Sequence, residues 1–175
     1  MPSATLSQFE DSLSEKGVSV TRVCTSSFQQ HLNKLVDAPA VGVALGDTFD
    51  NVSLSLSETD VTIDPTPAEL RSAEIGITWA SIGIADYGSL VLTLTDAGSE
   101  LVSLFVERHI VVIREADLLD SMKSAIDVVA TEFNHTPQSA IIATGPSATA
   151  DMGALVKGAH GPRDVQVLIL TEDAK

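Results

Sequence analysis

His109-Ile110-Val111-Val112-Ile113-Arg114 is the stretch that decides the fold of this chain. Its four central residues are β-branched and consecutive, so a strand built from them is apolar on both faces. Such a strand must be covered on both sides, as in a parallel sheet packed between helices. Val165-Gln166-Val167-Leu168-Ile169-Leu170 has the same character, and Ala40-Val41-Gly42-Val43-Ala44-Leu45 and Ala140-Ile141-Ile142-Ala143 read as shorter buried strands.

Helical spacing fills the intervals. Leu6, Phe9 and Leu13 predict a helix over 4–16 that ends at Gly17, followed by a strand from Val18 to Cys24. Phe28, Leu32, Leu35 and Val36 predict a second helix. Asp60 to Asp64 reads as a strand, and Pro67 opens a short helix through Ser72. In the middle, Ile75, Ile77 and Trp79 alternate, Ile82 and Ile84 follow, and Leu90 to Leu94 resume after the turn at Asp86-Tyr87-Gly88-Ser89. The longest helix is expected over 115–133, with Leu118, Leu119, Met122, Ile126 and Val129 on one side. Ala148 to Val156 reads as a last helix closed by Gly158. The expected fold class is α/β: a mostly parallel sheet with helices on both faces and an antiparallel hairpin in the middle.

The chain has 175 residues, 44% of them apolar, and no linker-like run, so one domain spanning 1–175 is expected. No apolar run approaches the roughly 20 residues of a membrane span. Met1 to Asp11 lacks a basic segment followed by an apolar one, which leads us to expect a cytoplasmic protein. With 24 acidic against 10 basic residues the net charge is −14, which repels phosphate backbones and excludes nucleic acid as an expected partner. Dispersed acidic residues with few lysines fit a halophilic, salt-screened surface.

Cys24 is the only cysteine, so no cluster site can be built from this chain, and its apolar neighbourhood predicts a buried structural thiol. The four histidines, His31, His109, His135 and His160, lack metal-ligand spacing. Neither a Gly-x-Gly-x-x-Gly fingerprint nor a Gly-x-Ser-x-Gly elbow is present, and Lys157 precedes Gly158 where a phosphate loop would have them reversed. No cofactor and no metal is expected.

Two blocks remain distinctive. The first is Ile82-Gly83-Ile84-Ala85-Asp86-Tyr87-Gly88-Ser89-Leu90. The second is Thr144-Gly145-Pro146-Ser147-Ala148-Thr149-Ala150-Asp151-Met152, with Gly158-Ala159-His160-Gly161-Pro162 close behind. In order and spacing, over about residues 73–170, they resemble the Ile-Ala-Asp-Thr-Gly-Thr, Ser-Gly-Pro-Ser-x-Thr-Ala-Asp-Ile and Gly-Val-His-Gly-Pro segments of the LUD family, lactate-utilization protein C type. The resemblance implies a fold similar to the NagB/RpiA/CoA-transferase-like group. It also implies a part in oxidising lactate to pyruvate together with iron–sulfur partner proteins. The chain departs from the pattern at Tyr87, Ser89, Thr144 and Gly153, and at Glu100 and Val106, where arginine and proline are common.

The residues also have a reading of their own. A helix beginning just after Gly145-Pro146, at the carboxyl end of a central strand, would aim free amides at an anion such as a small carboxylate or phosphate. Gly145, Ser147, Thr149 and Asp151 then become candidate ligand groups, or else Ser147 and Thr149 cap the helix and Asp151 complements its dipole. Asp86 either orients a ligand, for which Ser89 is also a candidate group, or pairs with His160 across the sheet ends, or bonds the turn amides near Gly88 and Ser89. His160 acts as an acid/base or holds its loop, Arg163 is a candidate positive charge, and Trp79 is expected in the core. The functions in view are an accessory subunit of a lactate-oxidising system, a stand-alone enzyme of the same fold group, and a module that binds a small anionic metabolite.

Overall fold

The computed structural model describes residues 3–45, 49, 54–94, 98–135, 138–151 and 154–171. Helix α1 (Ala4–Glu15) leads into β1 (Ser19–Cys24), and α2 (Phe28–Leu35) into β2 (Ala40–Gly42). Then follow β3 (Val61–Ile63), α3 (Pro67–Ser72), β4 (Ile75–Trp79), β5 (Ile82–Ile84), β6 (Ser89–Thr93), α4 (Ser99–Leu104) and β7 (Arg108–Arg114). The chain closes with β8 (Leu118–Leu119), α5 (Met122–His135), β9 (Ala140–Ala143), β10 (Ala148–Asp151), β11 (Ala154–Lys157) and β12 (Asp164–Thr171).

Six strands form one sheet in the order β1-β12-β7-β4-β2-β3, parallel at every pairing. The run that decides the fold lies near its centre as β7, between β12 and β4. Its side chains alternate as a doubly covered strand requires. Ile110 and Val112 pack with Phe28 and Leu32 of α2, while Val111 and Ile113 pack with Leu6, Phe9 and Leu13 of α1. β12 divides likewise, with Leu168 and Leu170 on the α2 side and Val165, Val167 and Ile169 on the α1 side. Phe9 and Phe28 are fully buried, so cutting either back to alanine costs roughly 3–5 kcal/mol.

A second, four-stranded sheet has the order β8-β5-β6-β9, with β5–β6 and β6–β9 antiparallel. Leu90, Leu92, Ile141 and Ala143 face α1 and the parallel sheet, whereas Ile82, Ile84 and Val91 face Ala125 of α5. The expected antiparallel hairpin in the middle is therefore β5–β6.

Four expectations need correction. The helix expected over 148–156 is not formed by the described residues of that range. Ala148–Asp151 and Ala154–Lys157 pair antiparallel, with Thr149 opposite Val156. Alanine content favours a helix locally, but the β-branched cross-strand pair supports the ladder. Strand 140–143 is not central to the parallel sheet; it is the edge of the second one. The long helix begins at Met122, because Leu118 and Leu119 pair with Gly83 and Ile84 as strand β8, and Ile126 is exposed. Ser121 starts α5 by accepting from the Ser124 amide. Cys24 is exposed, at the end of an edge strand in which only Val23 is buried. Helix α4 was not expected at all. Its buried residues are Ser99, Val102 and Ser103, and two serines leave no apolar period to read. No helix among the described residues is long and apolar enough to cross a membrane.

Candidate functional site

The two motif blocks do different jobs. The first braces three elements. Gly88 holds φ +60°, and a Cβ there would lie 2.8 Å from the backbone carbon of Ser12, so the β5–β6 turn sits directly against α1. Asp86 Oδ2 accepts from the Met122 amide at 3.3 Å and so anchors the first turn of α5. Ser89, fully buried, shares a 2.7 Å hydrogen bond between its Oγ and Thr144 Oγ1, which ties the first block to the second.

The second block folds around Ser147. Gly145 takes φ +70° and turns the chain out of β9. The Ser147 amide donates to the Pro162 carbonyl at 2.9 Å, the Gly158 amide donates to the Ser147 carbonyl at 2.9 Å, and the His160 amide donates to Ser147 Oγ at 3.4 Å. A Cβ on Gly161 would come within 3.2 Å of Ser147 Cβ, so the two segments lie in close contact. Segments well apart in the chain thus become one wall.

That wall closes over a cavity of about 290 Å³ between the two sheets. Leu13, Val18, Leu90, Leu92, Val111, Ile141 and Val165 make its apolar interior, and Ser103, Thr144, Gly145, Ser147 and His160 are among its other lining residues. Val18 immediately precedes β1, and His109 and Val165 are the second residues of β7 and β12. The cavity therefore opens at the amino ends of the parallel strands, not at the carboxyl ends where the sequence placed a ligand. Among the described residues no Asp, Glu, Lys or Arg lines it.

His109 is the polar group that sequence reasoning missed. It is 3% exposed, and its Nε2 shares a 2.7 Å hydrogen bond with Thr78 Oγ1. No hydrogen bond to its Nδ1 is found among the described residues, and since none of their buried side-chain nitrogens or oxygens is left unpaired, this atom is open to the cavity that the ring lines. Burial without a neighbouring charge pushes the imidazole pKa down to about 4, so the ring is neutral at pH 7. A histidine at the mouth of a β-branched strand reads as strand residue; only the tertiary contact with Thr78 marks it.

The remaining candidates separate. Gly145, Ser147 and His160 meet at the cavity. Thr149 pairs within the β10–β11 hairpin, where no helix exists to be capped. Asp151 ends β10 and its side chain lies outside the described residues, as do Met152 and Gly153. Asp86 and Ser89 brace the fold, and no hydrogen bond or ion pair joins Asp86 to His160. Arg163 is exposed, and its amide donates to the Glu107 carbonyl at 2.8 Å. Trp79 is partly buried and packs on the core beside Phe49, as expected. Among the described residues no group of three or more His, Cys, Asp or Glu is placed to hold a metal ion.

The chain is similar to known proteins along most of its length. Lactate utilization protein C of Deinococcus radiodurans is 29% identical over 171 residues, which cover 94% of this chain and 79% of that protein. The proteins of the same name from Anoxybacillus flavithermus and Bacillus subtilis are 29% and 28% identical, over 57% and 58% of this chain. Those matches span only 45% and 44% of the two relatives' own length. The crystal structure of a DUF162 family protein from Deinococcus radiodurans superposes with a TM-score of 0.76 at 26% identity, covering 95% of this chain and 96% of that one. The LUD domain model matches residues 53–170, a range that contains both motif blocks and all of the cavity wall they build. This chain belongs to the LUD domain family.

Proposed function

We propose that the chain is an accessory subunit of a cytoplasmic lactate-utilization system, folding as one α/β domain and working with iron–sulfur partner proteins that oxidise lactate to pyruvate. One observation carries the reading: the chain is similar along 94% of its length to a lactate utilization protein C. The convergence of Gly145, Ser147 and His160 on one cavity supports it. Converting lactate to pyruvate releases two electrons and two protons, which need an acceptor. A single cysteine cannot ligate a cluster, so in this reading the electrons leave through the partners. At the rim, a small carboxylate is received by the Ser147 hydroxyl, which accepts from the His160 amide and keeps its own proton to donate.

The test is capture of the tagged chain from cells grown on lactate, with iron measured in what co-purifies. Iron-bearing partners that appear on lactate and not on another carbon source are expected. Capture of no iron protein, or rapid dye reduction by the pure chain with lactate, would reject an accessory role.

A further inference from the structure

The interior of the cavity has a chemistry that differs from its rim. Its walls are leucine, valine, isoleucine and alanine, and among the described residues it contains no charged side chain. Among the described residues that line its buried end, His109 presents a ring nitrogen that is open to the cavity and makes no hydrogen bond, whereas Ser103 Oγ already donates to the Glu100 carbonyl at 2.8 Å. An ion moved into such a space loses its hydration with nothing to replace it, whereas an uncharged oxygen loses little if it meets the imidazole. At roughly 30 Å³ per water, the space of about 290 Å³ has room for about ten water-sized groups, more than a three-carbon acid fills.

We propose that this cavity is a binding site for an uncharged amphiphile of small-alcohol or small-ketone class, its apolar body against Leu13, Leu90, Ile141 and Val165 and its oxygen hydrogen-bonded to His109 Nδ1. The Thr78 hydroxyl fixes the ring by holding Nε2. If Nε2–H donates to Thr78, Nδ1 accepts from an alcohol; if Thr78 donates, Nδ1–H donates to an alcohol or a carbonyl. A hydroxyl satisfies either tautomer. The proposal does not depend on lactate as substrate, since the rim and the interior select for opposite properties.

The experiment titrates 2-phenylethanol, phenylacetate and inorganic phosphate into the full chain with ¹⁵N-labelled histidine, following the ring nitrogens by NMR. The alcohol and the acid share one apolar body and differ in charge. The alcohol is expected to bind at least tenfold more tightly than the acid, to shift the Nδ1 signal of His109, and to compete with nothing when phosphate is added. Two variants isolate the contacts. Ala143→Phe fills the cavity from β9 and should abolish binding. The pair Thr78→Val with His109→Phe removes the hydrogen-bonding group without orphaning its partner, and should weaken the alcohol at least tenfold. Equal or tighter binding of phenylacetate overturns the proposal. So does undiminished binding by either variant, or no binding of 2-phenylethanol to the wild type up to its solubility. A chain that binds the alcohol yet recruits no iron protein leaves this inference standing and removes the accessory role; the converse result does the reverse.

Discussion

Acidification from pH 6.5 to about 4 should destabilise this protein through His109. Burial holds the imidazole at about 4, against 6.5 for an unperturbed ring. Between those values the unfolded chain binds a proton that the folded chain does not, so stability falls as pH falls through the window. Above it both states are neutral at this residue, and below it both are charged, so the loss is complete near pH 4. The shift corresponds to about 3 kcal/mol, an upper figure because water entering the cavity would soften the burial. No carboxylate lines the cavity among the described residues to pair the charged ring. The comparison protein is the Thr78→Val, His109→Phe pair, which keeps the volume and leaves no orphaned hydroxyl; His109→Phe alone would add roughly 1–3 kcal/mol for the stranded Thr78. Urea unfolding of both proteins at steps from pH 7.5 to 4 gives the difference directly, and changes in overall charge cancel. The wild type should lose up to about 3 kcal/mol relative to the variant. Parallel curves, within about 1 kcal/mol across the range, would show that His109 is not held neutral by burial.

Other consequences can be checked in the same way. Gly76→Ala should cost roughly 2–3 kcal/mol in urea unfolding, since its Cβ would overlap the Val102 carbonyl of α4 and Val106; a neutral change would mean α4 does not rest on β4. Thr66 and Glu69 form a reciprocal capping box at α3, so Thr66→Ala should lower stability by about 1 kcal/mol, and no loss would discount the cap. Cys24 is exposed, with only a long 3.8 Å contact from Thr171 Oγ1, so a thiol reagent should label the folded chain without denaturant; labelling only after unfolding would contradict this. With a net charge of −14, the melting temperature should rise between low and molar potassium chloride, and a flat response would remove the salt-adapted reading.

Much of the site was legible in part. Gly145, Ser147 and His160 stand out as motif residues and do line the cavity. The helix N-terminus expected beside them does not form, because Ala148–Asp151 and Ala154–Lys157 pair as antiparallel strands where local propensity favoured a helix. Alanine and threonine in an exposed segment carry little periodic signal, so the pairing of Thr149 with Val156 is visible only once the strands are side by side. Asp86 and Ser89 also read as chemistry, and each is bonded within the fold, Asp86 to the Met122 amide of α5 and Ser89 to Thr144. A carboxylate in a turn looks the same in sequence whether it meets a ligand or an amide.

Local patterns along the chain were enough to read the α/β class, the doubly covered β7 and β12, helices α1, α2 and α3, and the kinship written in the two blocks. These are local properties: β-branched runs and three-to-four-residue spacing state which faces must be buried, whatever they are buried against. Tertiary structure alone decided that a second sheet packs on the first, that the cavity lies at the amino ends of the parallel strands, and that His109 opens into it. The contacts responsible join residues far apart in the chain, Thr78 to His109 over 31 positions and Ser89 to Thr144 over 55. No periodicity records which buried face meets which, so the neutral imidazole at the cavity wall emerges only when the two sheets close on each other.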